Sequence, residues 1–205
     1  DLVRSRGLGD VYKRQAMDVP LGLTAGNSLE IRETLEVLAG GGPSDVVELT
    51  LLLANEMLDA VGIKPKVSPS DALKNGMAMD VWRKMIKAQG GDNDAPLPVA
   101  KEKIEISADS SGKLLTLDAL KVGISAWRLG AGRQKQGEVL QLGAGIEIHA
   151  KPGDLVKAGQ KILTLHSDEP ARFDRAKEAL VGAFSIGGVD DPIKRLPLVV
   201  ERIEG

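Results

Sequence analysis

The sequence predicts two architectures in series: a helical segment to residue 95, then a small β-rich α+β unit over 96–205. Three observations carry this. Before Asp92 the apolar residues recur three and four apart, the spacing of one helix face. After Pro98 they alternate with polar residues, the period of a half-buried strand. Between the two, Asp92–Pro98 (DNDAPLP) gathers the Pro, Asn and Asp of a connecting segment.

In chain order, Asn27 and Glu30 form a capping pair: Asn accepts from first-turn amides and Glu reaches back. Leu29, Thr34, Leu35 and Leu38 then follow at helical spacing, and Gly40–Gly42 ends that helix. Ser44 and Asp45 open a second helix to Val61, stopped by Gly62. Its apolar residues wrap most of the circumference, which predicts burial on several sides. A short turn covers Ser70–Asn75. Ala78, Val81, Trp82, Met85 and Ile86 mark an amphipathic helix closed by Gly90-Gly91. Strands are expected at Lys103–Ser107, Lys113–Leu117, Ile146–His149 and Lys161–Leu165, with turns at Lys151–Asp154 and Lys157–Gln160. A last helix covers Ala171–Ala183.

Composition narrows the function classes. A net charge of −2 and pI ≈ 5.8 leave no electrostatic footprint for nucleic acid. Aromatic content of 2% offers almost no stacking platform for single strands. With no cysteine there is no disulfide, thiolate nucleophile or Cys-ligated zinc, which suits a reducing cytoplasm. No apolar run reaches membrane-spanning length, and no apolar signal core is present. A soluble, cytoplasmic protein is expected.

Residues 1–15 differ in texture. Arg4, Arg6, Lys13 and Arg14 against Asp1 and Asp10 make them net +2. A nucleic-acid arm is one reading; a non-native or disordered tail is the preferred one.

Few residues suggest chemistry. Leu129–Arg133 (LGAGR) is Gly-rich with an arginine. A phosphate cradle, however, needs a helix N-terminus after it; here a strand is expected, which favours a structural turn. His149 and His166 are the only histidines and are far apart, a weak metal signal; structural roles are expected. Asp18, Glu30 and Glu33 are better explained by capping or ion binding than as a catalytic pair. Trp82 and Trp127 lie in apolar patterns and read as core.

The run Met17–Glu48 (MDVPLGLTAGNSLEIRETLEVLAGGGPSDVVE), with Val81–Asp92, Leu129–Arg133 and Ala150–His166, resembles the pyrimidine-nucleoside phosphorylases, most closely the bacterial thymidine phosphorylases. Departures are mild: Val19 stands where the family often has Gln or Lys, and Trp82 where it often has Phe. The resemblance implies that 16–95 is the helical remainder of an α/β domain. It also implies that 96–205 is the family's C-terminal domain, of barrel-sandwich or hammerhead type. That second half argues against anthranilate phosphoribosyltransferase, which shares only the general architecture. The implied reaction is phosphorolysis of thymidine to thymine and 2-deoxyribose 1-phosphate, in nucleoside salvage, by a homodimer. In the family a helical domain closes over the α/β domain, and a histidine and basic groups polarise the base. None of those groups has a matching position in 16–205, so no catalytic residue is assigned and these residues alone are expected to be inactive. The resemblance further implies a monovalent cation, potassium, held by the main-chain carbonyls of Leu21 and Thr24 and the carboxylate of Glu33, together with family ligands from the upstream half that have no match in 16–205, so that the site here is incomplete. A broader pyrimidine-nucleoside phosphorylase accepting uridine is the sibling alternative.

A different class also has a signature. Gly153–Gly159 (GDLVKAG) after Ser111-Gly112 resembles the half-motifs of biotinyl and lipoyl carrier domains. Such carriers place a lysine in Met-Lys-Met or Asp-Lys-Ala at a hairpin tip. Neither triplet occurs, and Lys135 lacks those neighbours.

Overall fold

The structure, a computed structural model, describes residues 11–133, 135–193 and 196–204. Its elements are β1 (Val11–Gln15), β2 (Thr24–Ala25), α1 (Asn27–Leu38), α2 (Ser44–Ala60), α3 (Pro69–Lys74), α4 (Met77–Ala88), β3 (Glu102–Ser107), β4 (Gly112–Leu117), α5 (Ala119–Ala126), β5 (Gly145–Ile148), β6 (Leu155–Val156), β7 (Lys161–Ser167), α6 (Arg172–Ala179), β8 (Phe184–Gly187) and β9 (Val199–Glu204). The protein is thus mixed α and β, and among the described residues every strand pairing is antiparallel.

Alternation builds the larger sheet, ordered β2-β5-β7-β3. Ile104 and Ile146 flank Leu165, while Ile106 and Ile148 flank Leu163. Successive side chains point to opposite faces, so these residues form two apolar rows on one face. The other face carries Lys103, Glu105, Glu147, Thr164 and His166. A second sheet, β6-β4-β8, supplies Leu114, Leu117 and Val156 to the same core. Helix α5, α6 and Leu129 close it with Val122, Ala126, Phe173 and Ala176.

The first helix departs from expectation at its start. Gly26, not Asn27, is the N-cap, and Glu30 Oε1 accepts from the Gly26 amide at 2.8 Å. Gly26 takes φ 144° with its Cα against Gly145, an approach that any side chain would block. Helix α2 runs as expected, yet it buries none of its residues; the predicted burial on several sides is replaced by half-exposure. Helix α4 likewise buries none, and Val81 is 65% exposed. Trp82 is half-buried and Trp127 is 38% exposed, so neither is core. The indole N–H of Trp127 donates to the Arg133 carbonyl at 3.0 Å, which accounts for its place at the rim. The final helix is shorter than expected, because Gly182 takes φ 63° just after it.

Residues 11–15, expected to be part of an unstructured tail, instead pair with β9. Antiparallel pairing satisfies backbone groups of both strands. The rest of that expectation, residues 1–10, lies outside the described residues.

The seam at 92–98 separates the periodicities but not the packing. Strand β2 joins the β-rich half through β5, Ser28 Oγ donates to the Pro98 carbonyl at 2.7 Å, and Ala119 N donates to the Asp18 carbonyl at 3.0 Å.

Candidate functional site

The turn Pro20–Thr24 lies where α1, α2 and β5 converge. Gly22 has φ 70°, and a Cβ there would collide with the Glu33 carboxylate and with Val46. Helical side chains lean toward the helix N-terminus, which brings Glu33 back over this turn. Its Oε1 accepts from Leu23 N at 2.7 Å. From the first turn of α2, Asp45 Oδ2 accepts from Gly22 N at 3.3 Å while Oδ1 accepts from Val46 N at 2.9 Å. Lys151, beyond β5, forms a short ion pair with the same Asp45 Oδ2. The Leu23 carbonyl accepts from Ile148 N at 2.8 Å. Two carboxylates therefore hold the successive amides of Gly22 and Leu23, and one ammonium pairs with the first carboxylate, Asp45.

Of the three sequence-assigned residues, Thr24 and Glu33 lie side by side, whereas Leu21 is 43% exposed and lines a separate hollow with Asp45. Glu33 is 9% exposed. Burial raises its carboxyl above the usual 4.5, opposed by the Leu23 amide, the Thr24 hydroxyl and the Lys151 charge. Asp45 behaves oppositely: burial is its largest single influence and would raise it, but Lys151 and the Gly22 and Val46 amides together hold it below 3.8. Thr24 sits opposite Glu147 in the ladder, between the bonded Leu23–Ile148 pair and the next. Bonded and non-bonded pairs alternate in antiparallel ladders, so the Thr24 carbonyl faces the free edge of β2. Its Oγ1 is buried beside the Glu33 carboxylate, close enough to favour that group's charge but without the geometry of a full hydrogen bond. Glu33 and Thr24 offer only oxygen donors, the chemistry that a hard cation takes. Among the described residues no group of three or more His, Cys, Asp or Glu is arranged to hold a metal.

The histidines take structural positions. His166 is 1% exposed, its Nε2 3.1 Å from Glu147 Oε2, and His149 Nε2 lies 2.8 Å from Thr164 Oγ1. Burial lowers both below 6.5; for His166 Glu147 opposes this, and for His149 Lys161 adds to it. The Leu129–Arg133 loop offers carbonyls rather than amides. Leu129 accepts from Ser167 Oγ, Gly130 from Gln141 N, and Ala131 from Asn27 Nδ2. It ties elements together as a structural turn does. Three residues escaped the sequence reading. Asp45 was seen only as a helix opener and Lys151 only as a turn residue. Gln141 was not singled out; its Oε1 accepts from both Ser167 Oγ and Asp168 N.

Residues 114–187 match the protein family described as pyrimidine nucleoside phosphorylase C-terminal domain. The chain is similar to the thymidine phosphorylase of Mycobacterium tuberculosis (strain H37Rv), with 49% identity over 187 residues, covering 91% of this chain and 43% of that protein. It is also similar to the pyrimidine-nucleoside phosphorylases of Staphylococcus haemolyticus, 35% over 195 residues (90% and 41%), and of Staphylococcus aureus (strain NCTC 8325), 35% over 172 residues (79% and 40%). The chain therefore spans about two fifths of the length of the curated relatives it matches.

Proposed function

The chain belongs to the pyrimidine-nucleoside phosphorylase family, and from that membership we propose that it is the C-terminal part of a thymidine phosphorylase. The observation that carries the substrate is the 49% identity to a thymidine phosphorylase, against 35% for relatives named for pyrimidine nucleosides in general. In the proposed reaction the glycosidic C–N bond of thymidine breaks and a C–O bond to phosphate forms. Thymine leaves with a proton on nitrogen, and 2-deoxyribose 1-phosphate is the second product. The assembled enzyme works as a cytoplasmic homodimer in nucleoside salvage.

Within this reading the chain's own residues position rather than react. Two antiparallel sheets around one core support the reading of 96–205 as a C-terminal domain of barrel-sandwich type. Through β2, Ser28 and Lys151 that domain fixes α1, α2 and the turn between β1 and α1. Leu21 and Thr24 carbonyls with the Glu33 carboxylate would hold a monovalent cation such as potassium. When bound, the ion supplies a fixed positive charge that compensates a carboxylate taken out of water. Because these residues include no base- or phosphate-recognition group, the chain alone does not turn over substrate; positioning and preorganised charge supply most of a barrier reduction.

The test is thymine release with phosphate present. The 205-residue chain should be silent. Joining the upstream half of a thymidine phosphorylase in front of Ala16 should restore turnover, with thymidine preferred over uridine. Turnover by the chain alone overturns the placement of the active site; equal use of uridine favours the broader phosphorylase.

A further inference from the structure

We propose that Asn75 is a site of spontaneous deamidation and backbone isomerisation, and that the end of α3 must open before it reacts. Asn75-Gly76 is the one place in the chain where glycine follows asparagine. Gly76 has no Cβ to crowd an attack by its own nitrogen. The turn is accessible: α3 buries none of its residues, and Asn75 is exposed. Among the described residues the Gly76 amide donates to no backbone carbonyl. The other asparagines differ. The amide after Asn27 donates to the Leu142 carbonyl at 3.0 Å, and the amide after Asn93 donates to Asp92 Oδ1 at 2.9 Å. Asn55 lies inside α2 and precedes Glu56.

In the reaction the Gly76 nitrogen gives its proton to water and bonds to Asn75 Cγ, while the side-chain nitrogen takes up a proton and leaves as ammonia. Water then opens the five-membered imide. Addition at Cγ gives aspartate; addition at the main-chain carbonyl gives isoaspartate, with the backbone rerouted through the side chain. One water is consumed and one ammonia released, and no other reactant is needed. The folded turn restrains the first step. Ring closure requires Asn75 Cβ and Gly76 N to eclipse across the Cα–C bond, but at ψ 3° the Asn75 backbone nitrogen takes that position. Asn75 Oδ1 also accepts from Met77 N at 3.1 Å, which ties the side chain to the start of α4. What favours opening is the brevity of α3, six residues held at their start by Ser68 Oγ, which accepts from Asp71 N at 3.1 Å. The two products differ in consequence. Aspartate keeps an oxygen for Met77 N and adds negative charge at the start of α4, where the helix favours it. Isoaspartate inserts a methylene into the chain between two helices.

The experiment holds the 205-residue chain in mildly alkaline buffer, follows its intact mass, and locates the altered asparagine by peptide fragmentation. A gain of about one mass unit, amide nitrogen exchanged for oxygen, should appear at Asn75 as a mixture of aspartate and isoaspartate. Asn75→Ser should abolish it, and unfolding in urea should speed it. Ser68→Ala removes the α3 cap and should speed the reaction of the folded chain about fivefold, the change in open population that such a cap commands. A gain mapped to Asn27, Asn55 or Asn93 in place of Asn75, or reaction of Asn75 in urea alone, overturns the site. Equal rates in Ser68→Ala and the unaltered chain, or in the folded and unfolded chains, overturn the requirement that α3 open.

Discussion

The side-chain amide of Asn27 donates to the carbonyl of Ala131 at 2.9 Å, across 104 residues of sequence. A residue that looks like a local helix cap is a clamp between α1 and the Gly-rich loop. Asn27→Ala should therefore cost about 1 kcal/mol, the usual worth of a partly buried hydrogen bond. Asn27→Ser, a good cap but too short for Ala131, should cost nearly as much. Urea denaturation distinguishes the roles: full retention of stability by Asn27→Ser would mean that capping, not clamping, is what matters.

Gly22 and Gly62 both have positive φ, 70° and 66°, but only Gly22 has neighbours where a Cβ would stand. Gly62→Ala should cost about 1 kcal/mol, the backbone term alone. Gly22→Ala must also displace the buried Glu33 carboxylate and should cost about 3 kcal/mol. Comparable midpoints for the two variants would contradict the close packing of the turn.

Stability should fall as pH falls through the histidine range. The folded His166 pKa lies below 6.5 because burial disfavours the charged ring, with Lys103 and Arg32 adding to this and Glu147 opposing it. The unfolded chain therefore takes up the proton first. The penalty is absent well above pH 6.5 and grows as pH drops toward the folded value, by at most about 1.4 kcal/mol per pH unit. His149 acts in the same direction. Glu33 acts oppositely, since its raised folded pKa gives relief as pH falls toward 4.5. Urea midpoints at pH 7.5 and 5.5 should differ less in His166→Gln than in the unaltered chain; an unchanged difference would place the titration elsewhere.

Cleavage near 92–98 should leave the two pieces associated. The bonds across that seam include Ser28 N to the Leu142 carbonyl at 3.0 Å, Ser28 Oγ to Pro98 and the Asp45–Lys151 pair. After limited proteolysis the nicked protein should elute as one species under native conditions and as two in denaturant. Separation without denaturant would show that these contacts are too weak to hold α1 in place.

How much of this was legible in the sequence depended on the range of the interaction. Strands β3, β4, β5 and β7 came within one or two residues of their observed ends, because period-two alternation is written locally. Glu33 was singled out through a motif, and its burial against the turn is signalled locally only by Pro20 and Gly22. Asp45 and Lys151 were not joined, since nothing in either neighbourhood encodes a partner across 106 residues. The burial forecast for α2 failed for a related reason. An apolar circumference tells what a helix can bury, not whether a neighbour stands against it.

The short strand β2 also sets an order of events. Its pairing joins Thr24 to Glu147, whereas β3 pairs with β7, β4 with β6 and β8, and α6 packs on α5, all within the second half. Closing a long loop costs entropy that local contacts do not. The β-rich half should therefore assemble first, and α1 should dock onto a finished sheet edge. During synthesis from the N-terminus, the helices emerge before the strand that anchors them exists. Residues Thr24 and Ala25 must then wait for a partner strand more than a hundred positions downstream.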